Sequence, residues 1–210
     1  MNKHIVLFDF DGVIVDTETQ YTEFWDRMGM HYLGIENFGT VIKGQTLIQI
    51  IGEHFAGKDK KRDEVVPILV DFEENMRYDY VPGAYEFMLK LKAAGIPMAI
   101  VTSSNDIKMA NAYREHPELL EIADAILTSG HFSKSKPDPE CFLKGMEVLG
   151  GVPERTIVFE DSLHGIEAGR ASGAFVVGLS TTFPRERIAS LCNMVVPDFT
   201  ELKIEDIISI

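Results

Sequence analysis

Six short and nearly uninterrupted apolar runs constrain this chain more than any other feature: residues 5–8, 98–101, 125–127, 156–159, 175–179 and 194–196. Runs rich in Val and Ile that do not alternate with polar residues suit strands buried on both faces, as in a parallel sheet. Helical periods separate them. Phe87, Met88 and Leu91 recur at helical spacing before a stop at Gly95, and Phe142, Leu143, Met146 and Leu149 do so before Gly150-Gly151. Asp161-Ser162 can cap a third helix running through Ile166 and Ala168 to Ala171, with Gly173 just past its end. Strand and helix alternating at this length predict an α/β fold, a doubly wound parallel (Rossmann-like) sheet.

Between residues 16 and 81 the pattern changes. No buried strand is evident, whereas Phe24-Trp25-Met28 and Ile48-Ile50-Ile51 are spaced for helices. Residues 16–81 are therefore expected to form a helical insert, and residues 1–15 with 82–210 the α/β core. The run 58–63 is basic, but its interleaved aspartates predict a solvated loop rather than a binding patch.

With 210 residues, 45% of them apolar, the chain can bury a core without disulfide or metal staples. A net charge of −13 would repel nucleic acid and anionic lipid at long range, so neither is an expected partner. A local cation can still reverse the field inside one pocket, so a phosphate ligand stays possible. Cys141 and Cys192 read as free thiols, and the first apolar run is too short for a signal peptide or a membrane span. A reducing cytoplasm is the expected compartment.

The strand ends carry the chemistry. Asp9 and Asp11 follow the first run, and residues two apart in an extended segment face the same way. Two carboxylates so placed repel unless a cation intervenes; alone, the pair reads more readily as a turn or cap. Thr102-Ser103-Ser104 after the second run offers hydroxyls and amides to phosphate oxygens, or a helix cap. Lys136 precedes Pro137-Asp138-Pro139, where it is either a surface lysine or a cation for a phosphate and a carboxylate together. Glu160 and Asp161 end a further strand, as acids at a helix start or as metal ligands. Taken together, four carboxylates, a hydroxyl cluster and a lysine at four strand ends suit Mg²⁺, which prefers oxygen ligands.

These segments, FDFDGVIVDTE from Phe8, VTSS from Val101, Lys136-Pro137 and Glu160-Asp161-Ser162, resemble in order and spacing the four motifs of the haloacid dehalogenase superfamily. The likeness spans essentially the whole chain and is to the branch with a small helical cap. It implies that Asp9 is the nucleophile and a metal ligand. Asp11 would be the general acid/base, its carbonyl reaching the Mg²⁺. Thr102, Ser103 and Lys136 would bind the transferring phosphoryl group, with Gly44 and Gln45 of the cap as further phosphate-binding candidates, and Glu160 and Asp161 would complete the metal site. The implied activity is a phosphatase acting on a small phosphorylated metabolite, sugar phosphates foremost, with a β-phosphoglucomutase-like mutase or a pyrophosphatase as alternatives. A non-enzymatic binding module is disfavoured by the complete motif set. Where the mutases carry a cap histidine and arginine, this chain has Tyr21 and Leu47, with Lys43 as a remaining cap cation. Tyr21 and Trp25 at helical spacing suit a cap core. His131 and His164 match no motif role and read as capping or surface residues.

Overall fold

The computed structural model describes residues 4–43 and 47–209. Its centre is a six-stranded sheet in the order β3-β2-β1-β4-β5-β6, with every adjacent pair parallel. The strands are β1 (Ile5–Phe8), β2 (Met98–Val101), β3 (Ala125–Leu127), β4 (Thr156–Glu160), β5 (Phe175–Leu179) and β6 (Met194–Val196). The apolar runs thus became the strands, and the fold is the expected doubly wound α/β sheet.

Central β1, β2 and β4 are buried along their whole length, because both faces of the sheet are covered. On one face Leu7, Val101 and Val158 meet Phe142, Met146 and Ile166, which project from helices spanning Glu140–Leu149 and Leu163–Ala171. Four phenylalanines occupy the other face. Phe8 and Phe159 stack at 5.0 Å across β1 and β4, and Phe199 reaches Phe8, Phe87 and Phe159 with ring centroids 6.0, 5.3 and 5.1 Å away. Phe87 comes from the helix Ala84–Ala93, Phe199 from the segment after β6.

The chain divides into two compact units, Met1–Asp16 with Tyr78–Ile210, and Thr17–Arg77. The second unit holds helices at Glu18–Met28, Phe38–Val41, Leu47–His54 and Asp59–Glu74 around its own core of Phe24, Trp25, Phe38, Ile50, Val65 and Leu69. Trp25 is buried in this core and Tyr21 packs against its edge, with its ring 5.5 Å from that of Phe72 and its hydroxyl donating to Glu73 at 2.9 Å, so both aromatics serve this core. One expectation is corrected. The basic run is solvent-exposed, but it begins the helix Asp59–Glu74 instead of forming a loop. Arg62 pairs with Asp59 at 3.1 Å, an i,i+3 contact that favours helix, and Asp59 lies in the first turn, where a negative charge complements the helix dipole. Among the described residues no helix is long and apolar enough to cross a membrane.

The phenylalanine cluster ties the two central strands together from beneath. Phe159→Ala should cost about 3–5 kcal/mol, as for other buried aromatic truncations. Urea unfolding followed by far-ultraviolet circular dichroism measures it, and a loss below about 1 kcal/mol would show that the cluster has little structural weight.

Candidate active site

In open parallel sheets ligands gather at the carboxyl ends of the strands where the strand order reverses, which here is between β1 and β4. Asp9 follows β1 with its amide bonded to the Phe159 carbonyl of β4 at 3.0 Å. The chain then turns tightly: the Phe10 carbonyl accepts from Val13, Ile14 and Val15, and Gly12 adopts a positive φ of 73°. Gly12 is needed twice over, since a side chain there would be strained and its Cβ would collide with the Asp161 carboxylate. Thr181 fastens the turn, its hydroxyl donating to the Gly12 carbonyl at 2.6 Å.

Lys136 is the hub. Its buried ammonium donates to Asp9 Oδ1 at 2.8 Å and to Glu160 Oε1 at 2.6 Å, and it lies 4.8 Å from the Phe142 ring centre. Glu160 is fully buried and held at both oxygens, for Oε2 accepts from the amides of Asp161 and Ser162 at 2.9 Å and from the Ser162 hydroxyl at 3.0 Å. Ser162 also caps the helix Leu163–Ala171 by accepting from the Gly165 amide at 3.0 Å. Asp161 accepts from the Thr182 hydroxyl. Carboxylate oxygens of Asp9, Glu160 and Asp161 all lie within 4.8 Å of one another.

Burial pushes the Asp9 carboxyl well above the usual carboxylate range, an effect to which Glu160 adds and which Lys136 opposes. Burial works against the Lys136 charge, but the Asp9 and Glu160 carboxylates override it and hold the ammonium above its ordinary range. Three buried acids against one ammonium leave an excess of negative charge. The donor set is all carboxylate oxygen, which fits a hard divalent cation.

Asp11 is turned away from that trio. Its Oδ2 accepts from the Ser104 hydroxyl at 2.7 Å and its Oδ1 pairs with the Lys108 ammonium at 2.6 Å. Thr102 is buried at the end of β2 with its hydroxyl accepting from the Ser104 amide at 3.0 Å, while Ser103 is exposed. Gly44 and Gln45 lie outside the described residues. Leu47 begins the helix Leu47–His54 and is exposed. His131 closes a capping box with Thr128, His164 is exposed, and the thiols are free, Cys141 buried and Cys192 half-buried.

Two polar side chains that touch the site residues escaped the sequence reading. Lys108 lies one helical turn beyond the Thr102-Ser103-Ser104 cluster, in the helix Asp106–Glu115, and carried no motif signal. Thr182 follows β5, where Ser180-Thr181-Thr182 is another hydroxyl run at a strand end. That repeat of the β2 pattern was the available signal.

The sequence pattern of the haloacid dehalogenase-like hydrolases matches residues 3–173, and the chain belongs to this family of hydrolases. It is 30% identical over 209 residues to the validoxylamine A 7'-phosphate phosphatase of Streptomyces hygroscopicus subsp. limoneus, covering 95% of each chain. It is 31% identical over 182 residues to the phosphorylated carbohydrates phosphatase of Thermotoga maritima, covering 80% of this chain and 81% of that one. Among solved structures, β-phosphoglucomutase from Clostridium difficile superposes with a TM-score of 0.70 at 26% identity, covering 98% and 95% of the two chains.

Gly165 leaves room for Glu160, since a Cβ there would overlap the Glu160 carboxyl group. Gly165→Ala should therefore displace that carboxylate, cost about 1–3 kcal/mol of stability and weaken divalent-cation binding about tenfold or more. Calorimetric Mg²⁺ binding to the folded variant checks this. Unchanged affinity would remove Glu160 from the cation site.

Proposed function

We propose that the chain is a Mg²⁺-dependent phosphatase of small phosphate esters, sugar phosphates foremost, that works through an aspartyl-phosphate on Asp9. The observation that carries this reading is the Lys136 ammonium bridging Asp9 and Glu160 beside Asp161. It supplies a fixed carboxylate nucleophile, a cation for phosphoryl oxygens and a hard-cation donor set in one place. The likeness to the validoxylamine A 7'-phosphate phosphatase and to the phosphorylated carbohydrates phosphatase supports the same reading. Asp9, Glu160 and Asp161 would hold the Mg²⁺ with side-chain oxygens, and the Asp11 carbonyl is a further candidate ligand. When bound, the cation offsets the negative charge that keeps a carboxylate from a phosphate ester.

Asp9 attacks phosphorus through a carboxylate oxygen, and the bond from phosphorus to the ester oxygen breaks as the new one forms. Asp11 in its acid form gives the departing oxygen its proton. In the second half Asp11, now a carboxylate, takes a proton from water while the water oxygen attacks phosphorus. The bond from Asp9 to phosphorus then breaks, and inorganic phosphate leaves with the Asp9 carboxylate restored. Lys136, the Thr102 and Ser103 region and its backbone amides bind the phosphoryl oxygens through both halves.

The mutase alternative rests on the likeness to β-phosphoglucomutase. A mutase must keep its phospho-aspartate from water until a sugar bisphosphate has turned over, which asks for strong donors to a second phosphate. The Leu47 side chain cannot donate a hydrogen bond as an arginine would, and the Tyr21 hydroxyl already donates to Glu73. Water is therefore expected to win the phospho-enzyme.

Two measurements test these statements. Asp9→Asn should lower phosphate release from sugar phosphates and aryl phosphates by about 10⁴-fold or more with the fold intact, as expected for loss of a covalent nucleophile; release within tenfold of the unaltered protein would sink the covalent route. With β-glucose 1-phosphate and a trace of the bisphosphate, free phosphate should appear faster than glucose 6-phosphate. Isomer outpacing phosphate by about tenfold, roughly 1.4 kcal/mol in barrier, would make the mutase the better assignment.

A further inference from the structure

We infer that Lys108, which lies outside the recognised motifs, is the positioning residue for Asp11: it anchors Oδ1 so that Oδ2 is the oxygen that carries the proton in the reaction. This rests on the phosphatase reading for its kinetic meaning, but its geometry stands apart from it. The two oxygens of Asp11 are held by unlike donors. Oδ1 meets the Lys108 ammonium at 2.6 Å, a charge-assisted bond, whereas Oδ2 meets the neutral Ser104 hydroxyl at 2.7 Å. A hydroxyl can exchange its partner for a substrate oxygen or a water at little cost, while an ammonium bond is kept.

The anchor itself is fixed. Lys108 sits in the first turn of the helix Asp106–Glu115, where its amide donates to the capping side chain of Asn105 at 2.9 Å. Its carbonyl accepts from the hydroxyl of the buried Tyr78 at 3.3 Å. The side chains of Lys108 and Asp11 are only 11% and 19% exposed, so the pair is screened less than a surface ion pair. Lys108 is also a counter-charge. The Asp11 carboxylate acts electrostatically on Asp9, so without the Lys108 ammonium its negative charge would bear more strongly on the Asp9, Glu160 and Asp161 trio, whose charge Lys136 offsets only in part. Removing the lysine should make that trio bind a divalent cation more tightly while loosening the proton-carrying carboxyl.

A double-mutant cycle over Lys108→Met and Asp11→Asn, read in two ways, tests the inference. In turnover of an alkyl phosphate, Lys108→Met should lower kcat about 10- to 100-fold with KM within about threefold, the scale of a reacting group displaced by about an ångström. In the Asp11→Asn background the same change should alter kcat less than about twofold, because a residue that acts only through Asp11 has nothing left to position. In calorimetric Mg²⁺ binding, which needs no turnover, Lys108→Met should tighten the affinity about three- to tenfold, and the double variant should return to the unaltered value. Lys108→Arg, which keeps the charge, should leave the Mg²⁺ affinity unchanged and stands in if Lys108→Met fails to fold: a tightened affinity in Lys108→Arg would count against the inference. An equal kcat loss in both backgrounds, or an Mg²⁺ affinity that does not respond to Lys108→Met, would overturn the role given to Lys108. Should the unaltered protein release no phosphate from any ester, the phosphatase reading falls, and the Mg²⁺ cycle decides on Lys108 by itself.

Discussion

A lysine ammonium buried between two carboxylates is expensive to assemble and more expensive to break. Taking one partner from such a group leaves an uncompensated charge in a region of low polarity, at a cost of about 3–5 kcal/mol. Lys136 therefore obliges Asp9 and Glu160 to remain where they are, although they arrive from different strands. Much of the surrounding detail answers the same demand. Ser162 and two backbone amides hold the second oxygen of Glu160, and Gly165 keeps the space behind it open. Gly12 does the same for Asp161, which Thr182 braces from the other side.

The sheet makes this convergence possible at low cost. With β1 paired to β4 in register, Phe8 lies beside Phe159, and so the residues that follow each strand emerge side by side. Asp9 is bonded through its amide to β4 itself, so the proposed nucleophile is as rigid as the ladder that carries it. Pre-organisation of this kind is what electrostatic catalysis asks for, since no reorganisation remains to be done when charge moves.

The strands were legible because burial on both faces writes itself as unbroken apolar runs, and residues 98–101 or 175–179 have no other economical reading. The helices flanking them were legible for a related reason: one apolar stripe and a glycine stop, as in Glu140–Leu149 with Gly150 in the left-handed region behind it. Residues 58–63 misled because composition reports solvation, while the helix is held further along by Val65 and Leu69, buried four positions apart, with the pairing of Arg62 and Asp59 adding only a local preference at its start. In the site, Asp9, Glu160 and Asp161 were legible by their position at strand ends, and Lys136 by the Pro-Asp-Pro that follows it before the helix Glu140–Leu149. Lys108 was not, because its partner lies ninety-seven positions away in the sequence and only the β1 and β2 pairing brings the two together. Thr182 was hidden likewise, its link to Asp161 set by the pairing of β4 with β5.

Phe199 extends the site's foundation into a part of the chain that carries none of its chemistry. It follows the last strand, beyond residue 173 where the family pattern ends, yet its ring touches both Phe8 and Phe159, the residues just before Asp9 and Glu160. Its amide is bonded to the Pro82 carbonyl, at the point where the chain returns from the helical unit. The C-terminal segment thus works as a keel: it bears on the underside of the two strands whose upper ends hold the acids. A change at Phe199 would therefore bear on the spacing of the carboxylates from the far face of the sheet, without altering a single motif residue.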